Sequence, residues 1–283
     1  KLINEDEIFE QADQLYHRAS PVGVCLVLNQ TNVEEVVEYH LTNTRQFYKM
    51  ASKHGLDVFF ASSSEVYGKR LDIYRDERRE GLREEKTGIW GGSDKKRWWY
   101  AHLKKCSEDI LLEYFNSGEI KGAIGRLFNV TGPRQRSEYG MVIPSFVKLA
   151  LQKEPLTVYG KGSQVRSFCS IFDGLKAIDL LMENPDKTGS EIYNIGRSEP
   201  VSIMDVAQQI NDITGNTAGI KQIPLDDVFD EPFEEIYYRI PNTDKLQNAT
   251  GFKLPTSFEE ILKSVTGYYR KQPNSNIESL SYG

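Results

Sequence analysis

Short apolar runs alternate along this chain with longer segments in which apolar residues recur every three or four positions. This alternation is typical of βαβ units, in which crossover helices join parallel strands, and it predicts an α/β fold built on a parallel sheet. The expected strands are apolar on both faces, as strands covered by helices on both sides must be. They span residues 12–20, 56–62, 120–128 and 190–196.

Three further segments carry the helical period. Apolar residues recur at spacings of three and four over 33–51 and again over 103–114. A third segment opens with Ser202, has Asp205 three residues later and ends before Gly215, which is a near capping box followed by a C-terminal glycine. We therefore expect a helix in each of these segments.

Length and charge limit the class of protein. The chain has 283 residues, of which 39% are hydrophobic, so it is globular and long enough for one large domain or two unequal lobes. From about residue 131 onward, proline and glycine punctuate shorter elements, which indicates a smaller lobe grafted onto the sheet. The net charge of -6 is spread over both signs without long blocks. We therefore expect no nucleic-acid or membrane partner, and an anionic small substrate would need local arginines.

The cysteines and the hydropathy point to a reducing compartment. Cys25, Cys106 and Cys169 lie far apart and form no CxxC or Cys/His cluster, so they are interpreted as buried thiols without a metal site. No stretch approaches the length of a membrane-spanning helix, and the chain begins without the basic and apolar regions of a signal peptide. The prediction is a cytoplasmic protein without a metal.

A polar segment follows the second predicted strand. Ser62, Ser63, Ser64 and Glu65 come at its carboxyl end. Ligands of open parallel sheets gather at the carboxyl ends of strands, so these side chains are expected near a binding site. A polar strand-to-loop turn would also explain the serines.

Tyr100 and Lys104 lie four residues apart at the start of a predicted helix. Positions i and i+4 face the same way, so the ammonium can lie near the phenol. A free tyrosine titrates near pH 10, and a nearby cation together with a cofactor that is itself positively charged would lower its pKa. The spacing therefore predicts that Tyr100 is a base near neutral pH, although YxxxK alone is a weak pattern.

The order of several motifs along the chain supports a functional role for Tyr100 and Lys104. From about residue 12 to about residue 270, the chain resembles the extended short-chain dehydrogenases/reductases that act on nucleotide sugars. The resemblance implies a Rossmann-type doubly wound parallel sheet with a smaller C-terminal α+β substrate lobe. The motifs that carry it are SSSEVYG, YAHLK, RLFNVTGPR, GMVIPSFVKLALQKEPLTVYGKGSQVRSF, YNIG and RIPNTDKL.

The resemblance also implies a division into domains. An NAD-binding domain would cover residues 1–130 and receive about 167–200 as well. A discontinuous nucleotide-sugar-binding lobe would make up most of 131–283. In this family, the predicted helices over 33–51 and 103–114 pair with their copies in a second subunit, so a homodimer is expected. Trp98 and Trp99 are interpreted as core or interface aromatics.

What the resemblance implies about catalysis centres on one sugar carbon. Tyr100 would take the proton of the sugar 4-hydroxyl while hydride passes from carbon 4 to NAD. Ser63 would hydrogen-bond the same oxygen as it becomes a carbonyl. Lys104 would bind the nicotinamide ribose and lower the tyrosine pKa, and Ala19 would also contact the cofactor. All of these roles are proton transfer or positioning near carbon 4.

Ser64 and Glu65 favour one reaction among those of the family. The pair resembles the pattern of UDP-glucuronate decarboxylases, whose 4-keto sugar acid loses carbon dioxide. UDP-sugar 4-epimerases need no carboxylate there, and 4,6-dehydratases acting on dTDP-glucose have Asp-Glu. Three alternatives stay open: a 4-epimerase, a 4,6-dehydratase, and a non-catalytic nucleotide-binding relative. Glu65 could also be a solvated loop acid.

The resemblance places four residues at the nucleotide end of the substrate, which is expected to be UDP-linked. Asn129 would donate to the diphosphate, and Arg166 and Arg239 would clamp it. Tyr159 would lie along the base and its ribose. Two nearby residues are interpreted as surface charges instead, namely Arg134 and Arg136.

Three features depart from the family pattern. The 283 residues contain no GxGxxG turn, the usual pyrophosphate cradle of such folds. We therefore expect that roughly the first 60 residues of a family member lie outside this chain, a degenerate relative being the alternative. His40 and Asn43 stand where the family has asparagine and glycine, and Arg18 replaces an apolar residue of the first strand.

Overall fold

The computed structural model describes residues 5–18, 33–137, 140–228 and 234–272. The strands in these ranges are β1 Gln14–His17, β2 Asp57–Ser63, β3 Gly122–Leu127, β4 Val130–Thr131, β5 Leu156–Tyr159, β6 Val165–Arg166, β7 Cys169–Ser170, β8 Glu191–Ile195, β9 Val201–Ser202, β10 Ile220–Ile223 and β11 Tyr238–Arg239. The helices are α1 Glu5–Glu10, α2 Val33–His54, α3 Arg70–Ile73, α4 Trp99–Ser117, α5 Val142–Leu151, α6 Ile171–Glu183, α7 Pro185–Thr188, α8 Ile203–Thr214, α9 Asp244–Thr250 and α10 Phe258–Arg270.

A four-stranded parallel sheet organises the fold, with strand order β1-β2-β3-β8. These are the four predicted strands, so the predicted parallel sheet is confirmed; residues 19 and 20 of the first lie outside the described ranges. In the register of β2 against β3, Val58 lies opposite Gly122 and Ser63 opposite Leu127. The polar end of β2 therefore lies level with the end of β3.

Alternate residues of β2 pack into two different cores because successive side chains of a strand point to opposite faces. Val58 and Phe60 pack with residues of α2 and α4. Phe59 and Ala61 pack with residues of α6 and α9. All four are at most 8% exposed, which is the burial on both faces that the apolar strand predicts.

Beyond β3 the chain forms smaller sheets. The strands pair as β4 with β7, as β5 with β10, and as a three-stranded sheet in the order β11-β6-β9. A separate core lies between α5, α8 and α10. Strand β8, which falls within residues 167–200, belongs to the central sheet. The predicted domain boundaries themselves stay predictions, as does the homodimer.

The three predicted helices are confirmed as α2, α4 and α8. Helix α8 begins as its sequence predicts, since Ser202 Oγ accepts the backbone N–H of Asp205 at 3.1 Å. It ends at Thr214, followed by Gly215 at φ 65°. Helix α4 follows a 3₁₀ turn over Lys96–Trp98 and ends before Gly118. Trp98 is 1% exposed and belongs to the core.

Two of the three cysteines lie in the described ranges, and both are free thiols. Cys169 is buried as expected, whereas Cys106 is exposed on α4 because it lies on the solvent side of that helix. Among the described residues, no group of three or more His, Cys, Asp or Glu side chains is placed to hold a metal ion. In the same ranges, no helix combines the length and the apolar character needed to cross a bilayer.

Gly122 allows β2 and β3 to approach, and replacing it with alanine is expected to destabilise the protein strongly. Its φ is 144°, and a Cβ there would lie 1.9 Å from the carbonyl oxygen of Val58. Since that oxygen is backbone, the strands themselves must shift, and we expect Gly122→Ala to cost about 3 kcal/mol or more. Unfolding in urea measures this loss as a change in the free energy of unfolding.

Gly118→Ala is the matched control. Gly118 also has positive φ, at 75°, but nothing lies within 4 Å of an added Cβ. Its substitution is expected to cost only about 1 kcal/mol, the backbone strain of the left-handed conformation. Equal losses in the two variants would contradict the proposed strand contact.

Candidate active site

The serines at the end of β2 have different surroundings: Ser62 contacts α4, whereas Ser63 and Ser64 belong to the 3₁₀ turn that follows the strand. Ser62 is 3% exposed, and its Oγ donates to Glu108 of α4 at 2.5 Å. Ser63 is the N-cap of a 3₁₀ turn over Ser64–Tyr67, and its Oγ accepts the backbone N–H of Glu65 at 3.2 Å. Ser64 is buried inside that turn. Of the predicted serines, Ser63 is therefore the one placed beside Tyr100.

Tyr100 and Lys104 both face the end of β2. The phenol of Tyr100 lies next to the side chain of Ser63. Lys104 is 2% exposed, and its Nζ donates to the carbonyl oxygen of Ala61 at 2.7 Å. The same ammonium lies 4.8 Å from the ring centroid of Phe60. The i, i+4 spacing thus brings both side chains to one place at the carboxyl end of the strand, as predicted.

The ammonium of Lys104 does not by itself lower the pKa of Tyr100, and the predicted effect of a positively charged cofactor stays a prediction. Burial raises the pKa of Tyr100 to about 12, the nearby side chain of Ser63 opposes that effect, and the negative charge of Glu65 adds to it. Burial also lowers the pKa of Lys104 to about 7. Desolvation outweighs the attraction between neighbouring charges here, because Lys104 is buried and Tyr100 is half-buried.

Glu65 is held between two arginines, so its interpretation as a solvated loop acid is wrong. Its Oε2 accepts Arg97 Nη2 at 3.1 Å, and its Oε1 accepts Arg239 Nη1. The side chain of Glu65 is 13% exposed, and those of Arg97 and Arg239 are 7% and 9% exposed. Burial alone would raise the pKa of Glu65, but the attraction of Arg239 and Arg97 lowers it to about 2. This carboxylate is ionised at every physiological pH.

Arg239 connects Glu65 to the predicted diphosphate residues. Its Nη2 donates to Asn129 Oδ1 at 3.1 Å, and Asn129 Nδ2 donates to the carbonyl oxygen of Ser167 at 2.7 Å. Asn129 has φ 39°, a left-handed conformation that is unusual for a residue other than glycine. Arg239 Nε is buried without a hydrogen-bond partner among the described residues. Arg239 therefore belongs to the Glu65 cluster as much as to a diphosphate clamp.

The other predicted nucleotide residues lie next to that cluster. Arg166 Nη2 donates to Glu235 Oε1 at 3.0 Å. Burial and then the positive charge of Arg239 lower the pKa of Arg166 to about 10, so the two guanidinium groups lie near each other. Tyr159 is 38% exposed at the end of β5. Arg134 and Arg136 are exposed, as expected of surface charges.

Sequence reasoning missed Arg97 and Glu108. Arg97 comes three residues before Tyr100, so a positive charge one turn ahead of the tyrosine was a usable signal. Glu108 completes an i, i+4, i+8 series with Tyr100 and Lys104, which places all three on one side of the helix. The contact of Glu65 with Arg239 spans 174 residues and had no local signal.

These residues fit one end of the expected NAD cofactor. Among the described residues, Lys104 Nζ donates one hydrogen bond, so two of its three ammonium donors can serve a ribose. Tyr100 lies one helical turn away on the same face. The predicted contact Ala19 lies outside the described residues, and the sequence has no glycine-rich turn for the pyrophosphate. The nicotinamide end is therefore the part of the cofactor that these residues can hold.

Two histidines are buried on the sheet face that carries Lys104. His17 Nδ1 lies 3.3 Å from the Tyr48 hydroxyl, and His40 Nε2 lies 3.0 Å from Ser107 Oγ. Burial, followed by the positive charge of Lys104, lowers the pKa of each histidine to about 4. Both are therefore neutral at pH 7.

Acid is expected to unfold the protein partly through these histidines. An unfolded histidine titrates near pH 6.5, so the unfolded chain binds more protons between pH 6.5 and 4, and stability falls as the pH drops through that window. The loss is at most about 3 kcal/mol per histidine. His40→Gln should flatten the acid slope of the unfolding free energy, measured with urea from pH 7 to 4.5. Ser107→Ala, which keeps the titrating ring, should retain the slope; a His40→Gln slope equal to the wild type would refute this assignment.

Comparison with known families and curated proteins gives consistent matches. The family model described as NAD dependent epimerase/dehydratase family matches residues 4–196. UDP-N-acetyl-alpha-D-glucosaminuronate decarboxylase of Bacillus cytotoxicus is 34% identical over 269 residues, which are 95% of this chain and 80% of that protein. UDP-glucuronic acid decarboxylase 1 of Arabidopsis thaliana is 27% identical over 277 residues, 96% of this chain and 59% of that protein.

Solved structures share the fold. The UDP-N-acetylglucosamine 4-epimerase from Methanobrevibacter ruminantium, in complex with UDP-N-acetylmuramic acid, has a TM-score of 0.81 and 22% identity, covering 96% of this chain and 81% of that one. The UDP-glucuronic acid 4-epimerase from Bacillus cereus, in complex with UDP-glucuronic acid and NAD, has a TM-score of 0.78 and 22% identity, covering 95% and 79%. At this identity the similarity concerns the fold, and the chemistry has to be argued from the site.

Proposed function

The chain belongs to the NAD dependent epimerase/dehydratase family, and from this premise we propose that it removes carbon dioxide from a UDP-linked sugar acid through a 4-keto intermediate. Two lines support the proposal over the other reactions of the family. Two relatives that match over at least 95% of this chain are named as decarboxylases of sugar acids. Glu65 is a largely buried carboxylate at the position where the decarboxylase pattern has one.

The observation that carries the proposal is the cluster of Glu65 with Arg97 and Arg239 next to Tyr100. Two guanidinium groups and one carboxylate leave this cluster with a net charge of about +1, which attracts an anionic sugar acid. Glu65 already accepts hydrogen bonds from both arginines. The arginines are therefore poorly placed to hold a substrate carboxylate as a bidentate pair, which would stabilise the ground state and oppose its loss.

The residues of the chain would act on the oxygen of carbon 4. Tyr100 takes the hydroxyl proton and Ser63 donates a hydrogen bond to the same oxygen. Bound NAD supplies the hydride acceptor for carbon 4 and a positive charge that would lower the high tyrosine pKa. Oxidation at carbon 4 makes the sugar acid a β-keto acid, because its carboxyl carbon is attached to carbon 5.

Loss of carbon dioxide then needs an electron sink. The bond from carbon 5 to the carboxyl carbon breaks, and its electron pair moves toward the carbon 4 oxygen as an enolate. Hydrogen bonds from Tyr100 and Ser63 stabilise that negative charge in a site from which water is largely excluded. Carbon 5 takes a proton from water. Carbon 4 would then regain the hydride that the cofactor had accepted, as Tyr100 returns its proton to the carbon 4 oxygen. One proton is consumed for each carbon dioxide released.

Isotope labelling tests the proposal directly. The full-length protein is incubated with NAD and either UDP-N-acetylglucosaminuronate or UDP-glucuronate labelled with carbon-13 in the carboxyl group. We expect labelled carbon dioxide and a UDP-pentose, with the N-acetylated acid as the first substrate to try because the 34% identical relative is named for it.

Other products would identify the other reactions. An intact sugar acid inverted at carbon 4 would indicate a 4-epimerase. A 4-keto-6-deoxy product from neutral UDP-N-acetylglucosamine would indicate a dehydratase. If every sugar nucleotide is recovered unchanged while the protein still binds it, the non-catalytic alternative is correct.

A further inference from the structure

Glu108 forms a buried centre of hydrogen bonds behind the predicted catalytic pair. Its side chain is 0% exposed, and its two oxygens accept three hydrogen bonds. Oε1 accepts Ser62 Oγ at 2.5 Å and Arg126 Nε at 2.9 Å, and Oε2 accepts Arg126 Nη2 at 2.7 Å. A helix residue is thereby bonded to the ends of both β2 and β3, because Ser62 and Arg126 are paired in the sheet register.

Arg126 extends this connection to the turn that carries Glu65. Its guanidinium lies 4.7 Å from the ring centroid of Tyr67, the last residue of that turn. Tyr67 in turn donates to Asn194 Oδ1 of β8 at 2.7 Å. The contacts therefore join α4, which carries Tyr100, to the segment that carries Ser63 and Glu65. The two halves of the site share one buried anchor.

Glu108 also lies one turn after Lys104, on the same side of α4. The other groups that face Lys104 come from three strands or helices: Phe60 and the carbonyl of Ala61 on β2, His17 on β1, and His40 on α2. The two histidines are neutral at pH 7, and Glu108 is the negative charge that counteracts the desolvation of the ammonium.

We propose that Glu108 is the positioning residue of this site: it anchors helix α4 to the strand ends through Ser62 and Arg126, and it places a negative charge one helical turn from Lys104. The role given to Lys104 rests on the proposed function. The anchor and the charge effect are properties of this chain alone. Glu108 touches neither substrate nor cofactor in this scheme and acts through Lys104 and Tyr100.

Titration of Lys104 tests the charge effect independently of activity. The full-length protein is labelled with nitrogen-15, and the Lys104 ammonium signal is assigned by its loss in Lys104→Gln. Burial lowers the wild-type pKa to about 7. Glu108→Gln should lower the Lys104 midpoint by at least about one pH unit, because the ammonium loses its counter-charge. The alkaline limb of the pH–rate profile should move by the same amount.

A second variant controls for unfolding. It is needed because Glu108→Gln leaves the charge of Arg126 buried without its carboxylate partner, which could destabilise the protein. The double variant Glu108→Gln/Arg126→Gln removes both charges of the pair. Its Lys104 midpoint should lie below wild type but above that of Glu108→Gln, because the loss of the Arg126 charge offsets part of the effect. Ser62→Ala keeps the ion pair and should leave the midpoint unchanged.

A Lys104 midpoint equal to wild type in either Glu108 variant would overturn the proposal. So would a uniform loss of rate at every pH, which is what a purely structural residue would give. Failure of the decarboxylase assignment would appear differently, as an unchanged sugar acid in the labelling experiment. The Lys104 titration would still decide the role of Glu108 in that case.

Discussion

Replacing Tyr100 with phenylalanine is expected to lower turnover of the full-length protein by about 10²- to 10⁴-fold, the usual contribution of a positioned proton donor and acceptor. The substitution removes one oxygen, the atom that lies next to Ser63, and keeps the aromatic ring on helix α4. Burial raises the pKa of this phenol to about 12, so a protonated Tyr100 is also the donor that stabilises a developing negative charge on the carbon 4 oxygen. Initial rates of labelled carbon dioxide release measure the loss.

Tyr114→Phe is the matched control for that experiment. Tyr114 lies in the same helix α4 and packs edge-on against Tyr48, with ring centroids 6.3 Å apart. The control removes a phenol oxygen from the same helix without touching the site, so its rate should stay within about twofold of wild type. Substrate affinity should change little in either variant. Tyr100→Phe with near-normal rates would remove Tyr100 from the chemistry and favour a protein that only binds its ligand.

The sheet could be predicted from the sequence because a strand that is buried on both faces is a continuous run of apolar residues. The runs over 56–62 and 120–128 are apolar at successive positions, and such runs become strands when helices cover both sides. The cap at Ser202 was equally local, since the residues that form it lie three positions apart. The shorter strands of the smaller sheets could not be predicted, because β6 and β11 have only two residues each and such short strands have no hydrophobic pattern.

The sequence predicted which residues lie near each other in the candidate site, but not their pKa values or all of their ion pairs. The place of Tyr100 beside Ser63 followed from helix spacing and from the rule that ligands gather at strand ends. The pKa of Tyr100 did not follow, because it depends on how deeply the phenol is buried. The partners of Glu65 did not follow either, since Arg239 is far along the chain and its side chain could equally have faced a diphosphate.

Glu65 bears on whether an enzyme keeps or removes the carboxyl group of a sugar acid. An enzyme that must keep the carboxyl group gains from arginines that hold it, since the bound anion is then stabilised before and after each step. An enzyme that must lose it gains if the anion is attracted but not held. The Glu65 cluster has the second arrangement, because its two guanidinium groups are already bonded to a carboxylate of the protein.

Glu65→Gln is therefore expected to change rate and affinity in opposite directions. The neutral amide raises the net charge of the cluster by one unit and releases Arg97 and Arg239 to bind the substrate. We expect KM for the UDP-linked sugar acid to fall by about tenfold, while the rate of carbon dioxide release falls by about 10²-fold or more. For a neutral UDP-sugar, affinity should hardly change. Steady-state rates and calorimetric binding of both ligands measure the two effects.

Glu77→Gln separates these effects from the mere loss of an ion pair. Glu77 also accepts from an arginine, with 2.7 Å between Arg70 Nε and its Oε2, and its side chain is 20% exposed. Arg70 begins α3 and Glu77 lies on the 3₁₀ turn after it, and among the described residues neither bonds a residue of the Glu65 cluster. Removing this pair should therefore lower stability slightly and leave both KM and rate unchanged. If Glu65→Gln instead raises KM and spares the rate, Glu65 contributes to binding alone. Decarboxylation would then have to proceed while arginines bind the substrate carboxylate. The hydrogen bonds of Arg97 and Arg239 to Glu65 could then not explain the loss of carbon dioxide.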